Sequence, residues 1–363
     1  MFLKKPFFLL KALVEGKSPM SVIIVLICHS FCNDITATLD LVRQAALFSL
    51  GKRSQMVVQI AASEILAHID TPTKACSRYQ KLLTILYQCI AQVSFARDVF
   101  FDALVCLEGC CSIGGKAAYI LYDSSRLEDT VQLKARIDCS VDTQGSIMVP
   151  LVALIHSGVL PINTLNNDNL HNLPLIYNTV VLGGTFDHLH FGHKILLSIS
   201  AWLAKSKVVC GVTEFEGDKI KKKLHYKLMQ SWTKRSENVS RVLRQVKGDL
   251  LVEVIPIIDG FGPTLIDASL DAIVASTETK RGCELINEIR VKNGLAPLYI
   301  HLVELLLADK DSSIKISSTY LRSSLVNEDR FIYSIEHFKF KSEQLNPPFG
   351  FFCCAFCILF IRF

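Results

Sequence analysis

The sequence contains no apolar run long enough to cross a lipid bilayer as a helix, which takes about 20 residues. The run from Val22 to Cys28 is too short, and so is the apolar stretch GFFCCAFCILFIRF at the carboxyl end. The first residues, MFLKKPFFLLKALVEG, are basic and amphipathic. Two interpretations of residues 1–33 stay open: a targeting or surface-anchor segment, and a plain helix with a buried strand. Membrane association through the apolar termini stays open.

The sequence also has no large excess of charge of one sign. The 39 basic and 34 acidic side chains leave a net charge of +5, an excess too small to indicate nucleic-acid binding unless it is concentrated. One concentration exists, the stretch KIKKKLHYK from Lys219 to Lys227. Taken alone, such a run is most often a solvated face, so we expect no nucleic-acid partner.

A disulfide framework is missing, although the chain has 13 cysteines. The number is odd and the spacings are scattered, which favours free thiols in a reducing compartment. A single CxxC, at Cys354 and Cys357, has no second pair to complete a zinc site. We therefore expect a cytoplasmic protein, and the amphipathic start leaves association with mitochondria open.

Proline is rare in the amino-terminal half. Pro72 is the only one between residues 34 and 101, a stretch in which Ala and Leu recur at helical spacing. The later segment AAYILYD indicates a strand, so we interpret residues 34–160 as a helix-rich accessory α/β domain. Residues 161–178 are crowded with Asn, Asp and Pro, which is typical of a linker, and residues 331–363 form a carboxyl-terminal tail.

Short apolar runs alternate with helical patterns across residues 179–330. Five apolar runs indicate strands near residues 179, 207, 250, 271 and 298; they are TVVLGG, KVVCGVT, LLVEVIPI, DAIVAST and LYIHLVELL. Helices are predicted from His193 to Lys205, from Thr233 to Lys247 and from Thr279 to Lys292. Apolar strands separated by helices are typical of a parallel sheet that is covered on both faces. We predict an α/β, Rossmann-like doubly wound sheet.

The stretch GGTFDHLHFGHKILL lies between the first of these strands and its helix. In an open parallel sheet, ligands bind at such a turn. Gly183 and Gly184 have no Cβ, so their backbone N–H groups can approach a phosphate closely, and the helix directs its positive N terminus at the same place. His190 and His193 are three residues apart and share one face of the first helical turn, with Gly192 leaving space beside them.

Zinc binding is the competing interpretation of the paired histidines. Zinc ligands on one helical face are usually four residues apart and need a third protein ligand, for which Asp187 is the only local candidate. We therefore predict no protein metal site here. Phosphate binding is the better interpretation, with the hydroxyl of Thr185 beside the turn.

Two stretches together resemble a known superfamily. GTFDHLHFGHKILL is similar to the first signature of the nucleotidyltransferases that carry an H-x-G-H motif, and KISSTYLRSSL, from Lys315 to Leu325, is similar to their late Ile-Ser-Ser-Ser/Thr signature. The stretches VIPIIDGFGPT and IVASTETKRGCELINEIRVKNGLAPL most resemble the eukaryotic type of phosphopantetheine adenylyltransferase, the domain found in bifunctional coenzyme A synthase. The resemblance covers roughly residues 178–326, under half of the chain.

The resemblance implies transfer of adenylyl from ATP to 4′-phosphopantetheine, with magnesium as the partner of ATP. The catalytic residues would be His193, Lys222 and Thr185. Lys221 and Lys223 remain alternatives to Lys222, because the lysine-rich loop can be aligned with the family in more than one register. Contacts with the nucleotide are expected from Gly183, Gly184, His190, Gly192, Ser317, Ser318, Thr319 and Arg322, and contacts with the acceptor from Thr185, Lys222 and Arg290. Arg281 is a weaker candidate for either substrate.

One departure from the bifunctional enzymes is clear. Gly-x4-Gly-Lys-Ser/Thr, the phosphate-binding motif of a kinase domain, occurs nowhere in the sequence, so we expect a separate dephospho-coenzyme A kinase. Two alternatives remain. A cytidylyltransferase for phosphocholine or phosphoethanolamine shares the GTFDxxHxGH opening, although its usual arginine and glycine before the late signature are missing here. The other alternative is a non-catalytic nucleotide-binding protein that is recruited to membranes.

Overall fold

The computed structural model describes residues 22–27, 35–50, 55–96, 102–113, 115–123, 141–144, 146–152, 173–214, 223–304 and 317–325. They form two parallel sheets, one before and one after the segment 153–172. None of the helices in these ranges is long and apolar enough to span a membrane.

The amino-terminal sheet has six strands. They are β1 (Val22–Ile27), β2 (Gln55–Ile60), β3 (Ala103–Leu107), β4 (Gly115–Asp123), β5 (Val141–Asp142) and β6 (Ile147–Leu151), in the order β3-β2-β1-β4, with β5 and β6 both pairing with β4. All the pairs are parallel. The helices among the described residues of this region are α1 (Ile35–Leu50), the short α2 (Ser63–Leu66) and α3 (Cys76–Ala96).

The structure corrects one expectation about this region and agrees with one of two alternatives. Val22–Ile27, which belongs to the segment 1–33, is the central strand of the sheet, in agreement with the interpretation of this segment as containing a buried strand. Gln55–Ile60 lies inside the stretch with helical spacing, yet it is a fully buried strand. Both runs are rich in Val and Ile, and residues 22–25 and 55–60 are buried without alternation, a pattern that periodicity alone cannot distinguish from a helix or an anchor.

The carboxyl-terminal sheet confirms the predicted fold. Its strands are β7 (Tyr177–Gly184), β8 (Ala204–Thr213), β9 (Leu251–Ile257), β10 (Ala272–Ser276) and β11 (Tyr299–Val303), all parallel, in the order β11-β10-β7-β8-β9. The helices in the described part of this half are α4 (Phe191–Leu203), α5 (Trp232–Val246), α6 (Lys280–Lys292) and α7, which covers residues 318–325. Each predicted strand and each of the three predicted helices is present within a few residues of its expected place.

The strand order determines where a ligand fits. From β7 the chain runs outward through β8 to β9, and then crosses back to β10 on the other side of β7. The carboxyl ends of β7 and β10 therefore form the switch point at which open α/β sheets bind their ligands. The turn that follows Gly184 leaves β7 at this point.

Candidate active site

The turn between β7 and α4 has an unusual backbone. Phe186 and His188 both have positive φ angles, 50° and 43°, a conformation that non-glycine residues rarely adopt and that is often found at functional sites. A Cβ on Gly184 would lie 3.1 Å from the ring of Phe186, so a side chain there would crowd the turn. The close fit of Phe186 over Gly184 explains why the strand ends in glycine.

Helix α4 begins at Phe191, directly after the loop just described. Its N-cap, His190, is extended, and the imidazole does not accept a hydrogen bond from the first-turn N–H groups. Those donors and the positive end of the helix dipole suit a phosphate. Gly192 lies in this turn and is buried.

The two histidines of the motif stack on each other. The ring centroids of His190 and His193 are 3.9 Å apart and the planes differ by 27°. Burial and the nearby ammonium of Lys223 lower the pKa of His193 to about 3, so its imidazole is neutral at pH 7. The buried Nδ1 of His193 has no hydrogen-bond partner among the residues that the structure describes. A neutral imidazole in this position can donate one N–H to an oxygen that gains negative charge.

Within the described residues, Lys223 contacts this turn. Its Nζ donates to the hydroxyl of Thr185 over 3.1 Å, which joins the basic loop to the turn. Burial lowers the pKa of Lys223, and the positive charge of Arg322 adds to the effect. Lys222, our choice from the sequence, lies outside the described residues, as does Lys221. Lys223, one of the two alternatives, is thus the one that can be located.

The two sequence signatures meet at Asp187. The hydroxyl of Ser318 donates to the backbone carbonyl of Asp187 over 2.6 Å, and Arg322 Nη1 donates to the Asp187 carboxylate. Both side chains of this ion pair are buried, at 1% and 2% exposure. The same guanidinium donates to the carbonyl of Leu224 and to the hydroxyl of Thr319. Residues more than 130 positions apart in the sequence therefore form one wall of the site.

The late signature also builds the start of α7. The Ser317 hydroxyl accepts a hydrogen bond from the backbone N–H of Tyr320 over 3.2 Å, the bond that an N-cap residue makes. Thr319 is exposed in the first turn. A second helix N terminus thus lies against the first turn of the motif, with Ser318 joining the two.

Two residues of the site were not predicted in their present roles: Arg235 was not predicted at all, and Asp187 was considered only as a metal ligand. Arg235 Nη1 donates to the carbonyls of Thr185 and Thr213, at 2.7 and 2.9 Å, and so ties the turn after β7 to the end of β8. Asp187 Oδ1 accepts from the backbone N–H of Gln230 at 2.9 Å. A signal for Arg235 existed, because it lies on the apolar face of amphipathic α5, where a charge needs a partner.

Arg290 has a different environment from the one we expected. It is fully buried, with Nε donating to the carbonyl of Ala296 and Nη1 donating to the carbonyls of Thr264 and Asp267. These bonds hold the short helical turn Gly262–Leu265 that follows β9. Contact of Arg290 with the acceptor stays a prediction.

The part of the chain that contains both signatures is similar to known proteins. Residues 181–324, which run from the middle of β7 to the end of α7, match the cytidylyltransferase-like family. Over 149 residues the chain is 39% identical to phosphopantetheine adenylyltransferase of Methanopyrus kandleri, and the match covers 41% of this chain and 91% of that protein. The chain belongs to the phosphopantetheine adenylyltransferase family.

Yeast relatives are similar over the same region. The chain is 36% identical to phosphopantetheine adenylyltransferase of Saccharomyces cerevisiae over 151 residues, 41% of this chain and 49% of that protein. An uncharacterised protein of Schizosaccharomyces pombe is 42% identical, over 40% of this chain and 47% of that protein. The chain thus spans about half the length of these two relatives. A solved structure of a protein of unknown function from Archaeoglobus fulgidus is 27% identical, covering 38% of this chain and 95% of that chain, with a TM-score of 0.30.

Proposed function

We propose that the chain transfers the adenylyl group of ATP to the phosphate of 4′-phosphopantetheine, giving dephospho-coenzyme A and pyrophosphate. The observation that carries the proposal is the meeting of the two signatures at Asp187, in a chain that belongs to the phosphopantetheine adenylyltransferase family. The proposal is supported by the contact of two helix N termini through Ser318 and Asp187, and by the bond between Lys223 and Thr185 in the same turn.

The chemistry needs alignment more than proton transfer. The attacking phosphate oxygen is already anionic at neutral pH, so no general base is required. The oxygen forms a bond to the α-phosphorus of ATP while the bond from that phosphorus to the bridging oxygen of pyrophosphate breaks. Negative charge builds on the α-phosphoryl oxygens, and donors fixed in advance around that position lower the barrier.

Each group at the site has a part in this scheme. The neutral His193 donates its N–H to an α-phosphoryl oxygen, and His190 holds the His193 ring by stacking. Lys223 and Thr185, which already touch, orient the acceptor phosphate. The first turn of α7 receives the β- and γ-phosphates through its N–H groups and Thr319. Arg322 holds α7 against the turn through Asp187.

Magnesium fits this site as a companion of the nucleotide. Among the described residues no group of three or more His, Cys, Asp or Glu side chains is placed to hold a metal ion. The carboxylate of Asp187 accepts hydrogen bonds from the backbone N–H of Gln230 and from Arg322. ATP would carry its ion through phosphate oxygens and water, and the ion would neutralise part of the triphosphate charge.

The decisive experiment measures pyrophosphate release from the purified full chain. ATP with 4′-phosphopantetheine should give turnover, and dephospho-coenzyme A should appear in equal amount. CTP with phosphocholine or phosphoethanolamine is the matched comparison and should give none. Turnover with CTP would favour a cytidylyltransferase, and nucleotide binding without turnover on any acceptor would favour a non-catalytic protein.

A further inference from the structure

The amino-terminal unit, residues 22–152, packs directly on α4. The rings of Tyr87, on α3, and Phe191 stack at 5.2 Å with 22° between their planes. At the other end of α4, Trp202 Nε1 donates to the carbonyl of Pro72 over 2.9 Å. One buried apolar cluster contains residues of both sheets. The helix that presents the two histidines is therefore held along its length by the amino-terminal unit.

A buried ion pair crosses this interface beside the active site. Lys194 follows His193 in the sequence and is only 2% exposed. Its Nζ donates to the carboxylate of Asp102 and, over 2.6 Å, to the carbonyl of Ala103. Its backbone N–H donates to the carbonyl of His190 over 3.1 Å. The residue anchored in the amino-terminal unit is thus part of the helical turn that carries both histidines.

The surroundings of Asp102 hold its carboxylate in one orientation. Gln55 Nε2 donates to Oδ2 at 2.9 Å, Gln245 Nε2 donates to Gln55 Oε1 at 3.2 Å, and Arg241 Nη1 lies 3.7 Å from Oδ2. Burial alone would raise the pKa of Asp102, but Lys194 and Arg241 outweigh burial and keep it below its ordinary value. The carboxylate stays charged and keeps its bond to Lys194.

Stability alone does not require such a pair. Apolar groups of similar volume in place of a buried ion pair are often neutral or stabilising, whereas the pair specifies one geometry. The region with the nucleotidyltransferase signatures makes up 91% of the Methanopyrus kandleri relative, so in that protein it stands almost alone. Relative to that protein the amino-terminal unit is additional, and the pair connects it to the first turn of α4.

We propose that the amino-terminal unit positions the first turn of α4 through Asp102 and Lys194, so that His193 is held at the α-phosphate. This inference rests on the proposed function. Asp102 and Lys194 are positioning residues, since they act through the helix and touch no substrate. Removing them should misplace the donor by a fraction of an ångström to about 1 Å, a displacement that can cost about 100-fold in rate.

The test compares three variants of the full chain: Asp102→Asn, Lys194→Met and the double variant. Each single variant leaves a buried charge without its partner and should lower the melting temperature. The double variant removes both charges and should recover most of that loss. Its kcat should nevertheless stay about 10- to 100-fold below that of the wild type, with KM for ATP within about threefold, because binding groups remain while alignment is lost.

Trp202→Phe is the matched control. It removes a hydrogen bond between the same helix and the same unit, at the end of α4 remote from the histidines, so it should lower the melting temperature and leave kcat within about twofold. A double variant with wild-type kcat would show that the pair is only structural and would overturn the inference.

Failure of the proposed function can be recognised separately. If the wild type shows no turnover, the proposed reaction is wrong, and the positioning role is then read from the imidazole resonance of His193 in ¹⁵N-histidine NMR spectra, assigned with His193→Gln. The double variant should shift that resonance, and Trp202→Phe should not. An unshifted resonance in the double variant would overturn the inference without any assay of activity.

Discussion

Replacing Asp187 with asparagine should break the ion pair that joins the two signatures and should destabilise the fold. Asparagine has the shape of aspartate, so its remaining oxygen can still accept from the N–H of Gln230. The amide NH₂ would, however, face Nη1 of Arg322, which now donates to the carboxylate. The guanidinium would keep its bonds to Leu224 and Thr319 but would lose its counter-charge.

The size of the effect follows from burial. Both members of the pair are almost inaccessible to water, at 1% and 2% exposure, so solvent cannot replace the lost carboxylate. Removing one partner of such a pair typically costs about 3–5 kcal/mol. We therefore expect Asp187→Asn to lower the free energy of unfolding by about that amount, and to lower kcat as well, because α7 would no longer be held against the turn.

Urea unfolding followed by tryptophan fluorescence measures this loss. The chain has two tryptophans, Trp202 on α4 and Trp232 on α5, so both report on the carboxyl-terminal sheet and its helices. A double-mutant cycle with Arg322→Met isolates the pair, and we expect a coupling of at least about 1 kcal/mol. A loss below about 1 kcal/mol for Asp187→Asn, additive with that of Arg322→Met, would refute the reasoning.

Three further predictions concern the catalytic groups. His193→Ala should lower kcat about 100- to 1000-fold with the fold intact by circular dichroism, because one transition-state donor is lost; near-normal turnover would contradict its role. Lys223→Met should lower kcat about 100-fold, whereas Lys227→Met, an exposed lysine of the same run, should leave kcat within about twofold. The third prediction concerns pH. The folded protein binds a proton at His193 only below about pH 3, whereas the unfolded chain binds one below about pH 6.5. Between these values the unfolded state therefore holds more protons than the folded state. The free energy of unfolding without ligand should therefore fall as the pH drops below about 6.5, by up to about 1.4 kcal/mol per pH unit, and an equal slope in His193→Gln would be evidence against a neutral His193.

The carboxyl-terminal fold could be predicted from the sequence because its signals are local. Apolar runs such as TVVLGG and DAIVAST are the strands β7 and β10, and the amphipathic stretch after Ser231 is α5. Ser231 also caps that helix, with its hydroxyl accepting from the N–H of Lys234 at 3.2 Å. These patterns depend on neighbours within a few residues, so no knowledge of distant contacts is needed.

The internal partners of individual cations could not be predicted in the same way. The resemblance assigns Arg290 and Arg322 to substrates, which stays a prediction, and the structure adds that both make hydrogen bonds inside the protein, one to backbone carbonyls and one to Asp187. A cation that contacts a phosphate and a cation that is buried against carbonyls have the same signature in a sequence. An internal partner can be recognised only from the fold, because it lies 26 residues away for Arg290 and 135 residues away for Arg322.

The sequence by itself determined the kind of site: a glycine-ended strand, a helix that starts with two histidines, and a late serine-rich helix start. The tertiary structure decided that Asp187 joins these elements, that Lys223 reaches Thr185, and that Val22–Ile27 is the centre of a sheet. It also decided that Asp102 meets Lys194. The physical reason is that periodicity and caps act over one or two helical turns, whereas a buried charge finds its partner only when distant segments pack together.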